Sequence, residues 1–243
     1  MGRLDDETII VTGASRGLGA SVATRFAREG ANTVLSARSE DDLREVAEAA
    51  DGETLVVPAD VTDEAAVAAL VEETVETYGE VTGLVNNAAI GLLSLYDEGR
   101  YVTDIDVDDW RLIMEVNVTG VFLCSKHAVA AMQDAGRGNV INVSSGLGRR
   151  GAPKWSPYVA SKWALEGFSR SLAYEVEPAI NVNCLDPGGR VDTGFWDHLP
   201  DEERASILDP DVMDDAAVLL MAQGPDGVTA ESATVDDWER RLC

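Results

Sequence analysis

Lysine is nearly missing from this chain. Of 19 basic residues only Lys126, Lys154 and Lys162 are lysines, the rest being arginine, against 44 acidic residues and a net charge of −25. A field of that sign repels nucleic acid and anionic membranes, so neither is expected as a partner. Two histidines (His127, His198) and three scattered cysteines (Cys124, Cys184, Cys243) form no CxxC or Cys/His cluster. No metal site and no disulfide framework is therefore expected. Cys124 and Cys184 lie in apolar runs and read as reduced core thiols of a cytoplasmic protein. No stretch approaches the ~18 apolar residues that span a bilayer. Met1 to Glu7 has neither the basic start nor the apolar core of a secretory signal. The acid excess with so little lysine has two readings. One is a halophilic protein, whose acid–acid repulsion is screened by concentrated cations; the other is an ordinary acidic protein. The first predicts that the fold loosens in low salt.

What the chain does have is alternation. Short β-rich runs at Thr8–Thr12, Asn32–Ala37, Thr54–Pro58, Gly83–Asn86, Asn139–Ser144 and Ile180–Leu185 are separated by helical stretches. The helices are read at Leu18–Glu29, Glu40–Ala50, Asp63–Tyr78, Val107–Gln133 (interrupted by Asn117 and Gly120), Tyr158–Val176 and Asp211–Gln223, and a short apolar run near Val228 closes the chain. Apolar strands alternating with helices predict a parallel sheet covered on both faces. No linker or fixed-period repeat divides residues 1–243, which read as one α/β domain. Two segments, 92–106 and 189–210, are too long for simple turns. Both follow strands, where crevices of open α/β sheets lie, so both are candidate substrate walls.

Thr12-Gly13-Ala14-Ser15-Arg16-Gly17-Leu18-Gly19 joins the first strand to the first helix. Glycines there permit a tight turn and close approach of a pyrophosphate to free helix N–H groups. An NAD site usually places an acid at the end of the second strand, to accept from the ribose 2′-hydroxyl. This chain has Ala37-Arg38 there, with Arg16 in the turn. Two guanidiniums suit a 2′-phosphate, so NADP(H) is preferred over NAD(H). Asp60-Val61, after the third strand, is a candidate adenine contact.

With these residues in view, the chain resembles the short-chain dehydrogenases/reductases, in their compact subgroup of about this length. Thr12 to Gly19 is similar to the family's TGxxxGxG, and Asn86-Asn87-Ala88-Ala89 to its NNAG with alanine for the last glycine. Asn117 matches its mid-helix asparagine, and Tyr158-Val159-Ala160-Ser161-Lys162 its YxxxK. Ser145, thirteen residues before the tyrosine, matches its catalytic serine, with Ser144 the adjacent alternative. Pro187-Gly188 matches its PG motif, although the stretch to Thr193 is one residue longer than usual. The resemblance implies a doubly wound Rossmann fold with about seven parallel strands. It further implies Asn117, Ser145, Tyr158 and Lys162 as the catalytic set, and cofactor contacts from Gly13, Ser15, Arg16, Gly17, Leu18, Gly19, Arg38, Asp60, Val61, Asn87, Ala88, Tyr158, Lys162, Pro187, Gly188, Val191 and Thr193. Assembly as a homotetramer or homodimer through the long helices would follow too.

The chemistry is readable from the residues. Carbonyl reduction needs a hydride from a cofactor and a proton from the protein. A phenol of pKa ~10 is a reluctant acid/base at neutral pH. Tyr158 and Lys162 stand at i and i+4 on one helix face. An ammonium ~4 Å away would favour the phenolate by ~4 kcal/mol, about three pKa units. Ser145 would donate to the substrate oxygen, and by the resemblance Asn117 would hold a relay water. Leu92, Leu93, Tyr96, Leu147, Trp155, Phe195 and Trp196 are candidate pocket residues. They suggest a small carbonyl or alcohol substrate with an apolar portion. Phe195 to Leu208 reads as a lid, and Arg149 and Arg150 face either solvent or a carboxylate. Three functions are weighed: a reductase/alcohol dehydrogenase, a catalytically silent NADP-binding sensor or scaffold, and a sugar-nucleotide epimerase or dehydratase. The intact catalytic set favours the first; the glycine spacing and the chain length speak against the third.

Overall fold

A computed structural model describes residues 2–176, 178–193 and 207–242. Seven parallel strands form one sheet: β1 (Thr8–Thr12), β2 (Asn32–Ser36), β3 (Thr54–Val56), β4 (Gly83–Asn86), β5 (Gly138–Val143), β6 (Ile180–Asp186) and β7 (Ser232–Thr234). Their order is β3-β2-β1-β4-β5-β6-β7, so the winding direction reverses between β1 and β4. Helices α1 (Gly17–Arg28), α2 (Glu40–Ala49), α3 (Glu64–Tyr78), α4 (Val107–Met114), α5 (Gly120–Ala135), α6 (Ser156–Val176), α7 (Asp214–Met221) and α8 (Val235–Leu242) cover the two faces. The expected doubly wound parallel architecture is the one observed.

The strands are buried on both sides, and their period of two splits them between two cores. Ile9 and Val11 of β1 pack with Val22 and Phe26 of α1, Ala217 and Leu220 of α7 and Trp238 of α8. Ile10 faces the other way, towards Val67 and Leu70 of α3, Leu123 and Met132 of α5 and Ala173 of α6. Local signals start and stop the helices. The Asp63 carboxylate accepts from Ala65 N at 2.9 Å to cap α3, and Gly79, in the left-handed region at φ 89°, ends it.

Two elements differ from the sequence expectation. The apolar run near Val228 is not the last element. β7 follows it at Ser232–Thr234, and α8 follows β7. The break expected at Asn117 and Gly120 is a π-helical turn, Glu115–Thr119, joining α4 to α5. Within the continuous helical run Val107–Ala135 an 18-residue window reaches a mean hydropathy of 1.2, enough by composition to cross a membrane, yet half of that window is buried inside the fold. It reads as a core helix.

Candidate active site

The glycine turn and the β4 loop meet where the strand order reverses, and they are stitched together there. Thr12 Oγ1 donates to Val85 O at 3.2 Å and accepts from Asn87 N and Ala88 N at 3.1 and 3.2 Å. Asn87 Nδ2 donates to Thr12 O and Gly13 O at 3.0 and 3.1 Å. Gly13 has φ 66°, and a Cβ on it would sit 2.9 Å from both Asn87 Nδ2 and Ala88 Cα. Only glycine fits that turn. A Cβ on Gly17 (φ 56°) would meet Thr193 Cγ2 at 2.9 Å, so the β1 and β6 loops approach each other closely. α1 has Arg16 at its N-cap, with no side-chain cap and no acid in its first turn. Its leading N–H groups are therefore available to an anion. This cradle fits the diphosphate of a dinucleotide.

Around the cradle, Ser15 lies in the turn itself and Gly19 in the first turn of α1, and Leu18 is partly buried against the core. Arg16 and Arg38 are exposed. Burial alone would raise the Asp60 carboxyl, but the Thr62 N–H and hydroxyl, at 2.9 and 2.7 Å, with Arg38 nearby, hold it below its ordinary value. Val61 packs beneath Gly120, where a Cβ would lie 2.8 Å from Val61 Cγ2. Pro187 and Gly188 follow β6, with Gly188 at φ 83°. Val191 is buried and forms an isolated parallel bridge with Leu208.

Tyr158, Lys162 and Ser145 come together at the carboxyl ends of β5 and β6. Tyr158 and Lys162 are one turn apart near the start of α6, whose first residue is Ser156. Lys162 Nζ donates to Val143 O at 2.7 Å and lies 5.6 Å from the Tyr158 ring centroid. The Ser145 hydroxyl lies beside the Tyr158 phenol, whose upward shift it opposes, and accepts from Leu147 N at 3.2 Å. Ser144 turns away, donating to Glu166 Oε1 at 2.5 Å. Between the two serines, then, Ser145 is the one beside the phenol.

The electrostatics depart from the sequence expectation of an acidified phenol. Burial pushes the Tyr158 hydroxyl up to about 12; Ser145 opposes this and Asp186 adds to it. Lys162 is pulled down to about 8 by burial, against the upward pull of Cys184, Glu166 and Asp186. An ammonium tied to a carbonyl beneath the ring does less for the phenolate than one at the oxygen, and desolvation outweighs it.

Asn117 is 1% exposed and its amide is fully engaged. Oδ1 accepts from Ile90 N at 2.8 Å, while Nδ2 donates to Ile90 O at 2.8 Å and Ser161 Oγ at 3.0 Å. It thus joins the β4 loop to α6 through the π-turn.

The pocket candidates divide. Trp155 stacks edge-on against Tyr158, with centroids 6.5 Å apart. Tyr96 lies under the Arg100 guanidinium, 3.6 Å from its ring centroid, and its hydroxyl donates to Asp109. Leu93 and Leu147 are half-buried; Leu92 is fully buried and is a core residue instead. Phe195 and Trp196, and with them most of the expected lid, lie outside the described residues, as do His198 and Cys243. Cys124 and Cys184 are free, buried thiols pushed up to about 12 by desolvation.

Sequence reading missed the charged layer behind Lys162. Arg149 spans two buried carboxylates, Glu166 and Asp186. The carboxylate left open as a partner for Arg149 is thus the protein's own. Only Glu166, one further turn along the face of Tyr158 and Lys162, could have hinted at it.

Residues 7–204 match the family model described as short chain dehydrogenase. The chain belongs to that family. Among its relatives, a 3beta-hydroxysteroid dehydrogenase of Mediterraneibacter gnavus is 37% identical, the match covering 78% of this chain and 68% of the relative. A trans-4-hydroxycyclohexanecarboxylate dehydrogenase of Sinomonas cyclohexanicum is 39% identical over 76% of this chain and 73% of its own. In structure, an actinorhodin polyketide ketoreductase variant solved with NADPH superposes with a TM-score of 0.85 at 30% identity, covering 97% of both chains. This short-chain dehydrogenase is accordingly an enzyme, an oxidoreductase of hydroxyl and keto groups, and its substrate is a small molecule.

Proposed function

We propose that this dehydrogenase is NADP(H)-dependent and interconverts an alcohol and a carbonyl compound with an apolar portion, with Tyr158 as general acid/base. The observation that carries this reading is the Tyr158 phenol, set beside Ser145 and stacked by Trp155, at the strand ends of a sheet whose glycine turn forms an open cradle. The turn from Gly13 to Gly19 would hold the diphosphate, Arg16 and Arg38 the 2′-phosphate, and Lys162 the nicotinamide ribose. Asn87-Ala88, Pro187-Gly188, Val191 and Thr193 would flank the nicotinamide, and Asp60-Val61 the adenine. The bound nicotinamide supplies or accepts the hydride.

The chain does the rest. With its pKa near 12 the phenol is protonated at neutral pH, the form that carbonyl reduction needs. Ser145 donates to the substrate oxygen and steadies the charge that develops there. The Lys162 ammonium then favours the phenolate left behind. Asn117, locked to Ile90 and Ser161, holds α6 against the β4 loop, and a relay water behind Lys162 belongs to this reading. The alicyclic alcohols named for both relatives support a substrate of that size and character.

Exposed Phe122, Trp163 and Tyr174 on α5 and α6 support a homodimer or homotetramer through those helices. A cytoplasmic site of action agrees with the reduced, buried thiols.

The test is NADPH consumption, followed at 340 nm with a panel of cyclic ketones and aldehydes. Tyr158→Phe should bind cofactor as the wild type does and lose nearly all turnover. Full activity in that variant would remove Tyr158 from its role. Cofactor binding by the wild type without turnover would return the protein to a sensor.

A further inference from the structure

Arg149 sits where four segments meet. Its Nη1 donates to Glu166 Oε1 at 3.1 Å and to Ser232 Oγ at 2.8 Å, and its Nη2 to Asp186 Oδ2. Glu166 Oε1 also accepts from Ser144 Oγ at 2.5 Å and Ser232 Oγ at 2.9 Å. Asp186 Oδ1 accepts from Gly188 N at 2.9 Å. Both acids are nearly out of solvent, 7% exposed at Glu166 and 3% at Asp186. The Gly146–Gly148 turn that delivers Arg149 presses on α6. A Cβ on Gly148 would lie 3.0 Å from Ser144 Oγ and 3.1 Å from Lys162 O and Glu166 Cγ.

Each strut ends next to a working group. Ser144 precedes Ser145 in the chain. Glu166 is one helical turn beyond Lys162 and two beyond Tyr158, on the same face. Asp186 leads directly into Pro187-Gly188. The charged and titratable groups facing the cluster are Tyr158 and Lys162 from α6 and Cys184 from β6. Arg150 reaches in from the turn, its Nε and Nη2 3.7 Å from where a Cβ on Gly146 would be, with Asp186 Oδ2 3.8 Å from that point. A planar guanidinium bridges two carboxylates in a way an ammonium does not.

We propose that Arg149 is the positioning residue of the reaction centre: through Glu166 and Asp186 it holds the Ser145 turn, the Tyr158–Lys162 face of α6 and the Pro187-Gly188 turn in one register. The proposal rests on the reading of this protein as a dehydrogenase with Tyr158 as its proton donor.

The experiment compares wild type, Arg149→Met, Arg149→Lys and Asp186→Asn in NADPH-coupled ketone reduction, with kcat followed against pH and melting recorded for each. Misplacement of reacting groups by about 1 Å costs roughly 100-fold in rate, so Arg149→Met should lose about that in kcat. Arg149→Lys should recover only part, because it cannot span both acids. Asp186→Asn keeps the shape and removes one negative charge near Tyr158 and Lys162, so the basic limb of its kcat profile should move to lower pH. A purely structural role would lower the melting temperature and leave that profile in place. The proposal is overturned if the wild type turns over while Arg149→Met keeps kcat within about 2-fold and the same pH profile. Should Arg149→Met not fold, an unmoved profile in a folded Asp186→Asn overturns it. A wild type that reduces no carbonyl at all fails earlier, at the dehydrogenase reading, and takes the proposal with it.

Discussion

Replacing Arg38 by alanine should weaken NADPH binding and leave NADH binding nearly untouched. Arg38 stands two residues beyond the end of β2, where a dinucleotide fold reads the 2′-position of the adenosine ribose. Arg16, at the N-cap of α1, is the second cation there. Both are exposed, and neither forms an ion pair among the described residues. A charge-assisted hydrogen bond generally contributes about 1.5–3 kcal/mol. Solvent screening at exposed positions reduces that, so the expected loss is about 10-fold in NADPH affinity for either single variant. Arg16→Ala/Arg38→Ala should lose about 100-fold if the two act independently. The readout is energy transfer from tryptophan to bound dihydronicotinamide, titrated with NADPH and NADH in parallel. The ratio of the two affinities is the decisive number, because a general disturbance of the site weakens both alike. Arg38→Ala with that ratio unchanged would refute the assignment of NADP(H). Molar KCl should also shrink the wild-type ratio, since screening acts on the extra phosphate alone.

Asp214→Asn should stabilise the fold near neutral pH. Burial pushes the Asp214 carboxyl up to about 6; Ser21 Oγ donates to Oδ2 at 3.1 Å, and Oδ1 has no partner among the described residues. A carboxyl raised in the folded state contributes stability that is complete below its unfolded pKa of 3.8 and is lost as pH rises through about 6. That penalty is about 3 kcal/mol before solvent screening and about 1–2 after it. The variant should therefore melt about 3–6 °C higher at pH 7.5 and gain less at pH 5; an unchanged or lower melting temperature at pH 7.5 would contradict this. Under the halophilic reading, thermal melting should fall sharply when KCl drops from molar to millimolar, the −25 charge then being unscreened. Equal melting in both salts would leave only the ordinary acidic protein.

Most of the architecture was legible because the signals were local. β1 runs from Thr8 to Thr12 as the apolar run did, and Asp63 caps α3 as its position in the sequence implied. The end of the chain was not legible, because its elements lack an apolar pattern. β7 is Ser-Ala-Thr, paired only along β6. α8 is mostly charged and is held by Trp238, which is 0% exposed and donates from Nε1 to Cys184 O at 3.0 Å. Its one local sign was Thr234 three residues before Asp237, which proves to be a cap with Asp237 N donating to Thr234 Oγ1 at 3.4 Å. At the site, motif spacing placed Tyr158, Lys162 and Ser145 together. It could not supply the phenol's direction of shift, which depends on burial and on where Nζ points. Nor could it supply the Arg149 layer, whose members come from positions 149, 166, 186 and 232.

The two sides of the crevice are built from different materials, and this decides where specificity resides. The cofactor side is made largely of backbone: glycines with positive φ, the open first turn of α1, and an Asn87 side chain spent on Thr12 and Gly13 carbonyls. Backbone recognises a diphosphate and nothing finer, so under the proposed NADP(H) reading the choice between cofactors would fall to Arg16 and Arg38 at its margin. The proposed substrate side would be made of side chains, with Trp155 and Tyr96 held by edge stacking and by Arg100. Such contacts can change without moving the sheet, whereas the Arg149 layer behind them ties the Ser145 turn, α6 and the turn after β6 together, and losing one carboxylate releases one of those attachments. Substitutions should therefore change which alcohol is accepted when they fall between residues 92 and 106 or in the turn before α6, and the rate on every alcohol alike when they fall on Glu166 or Asp186.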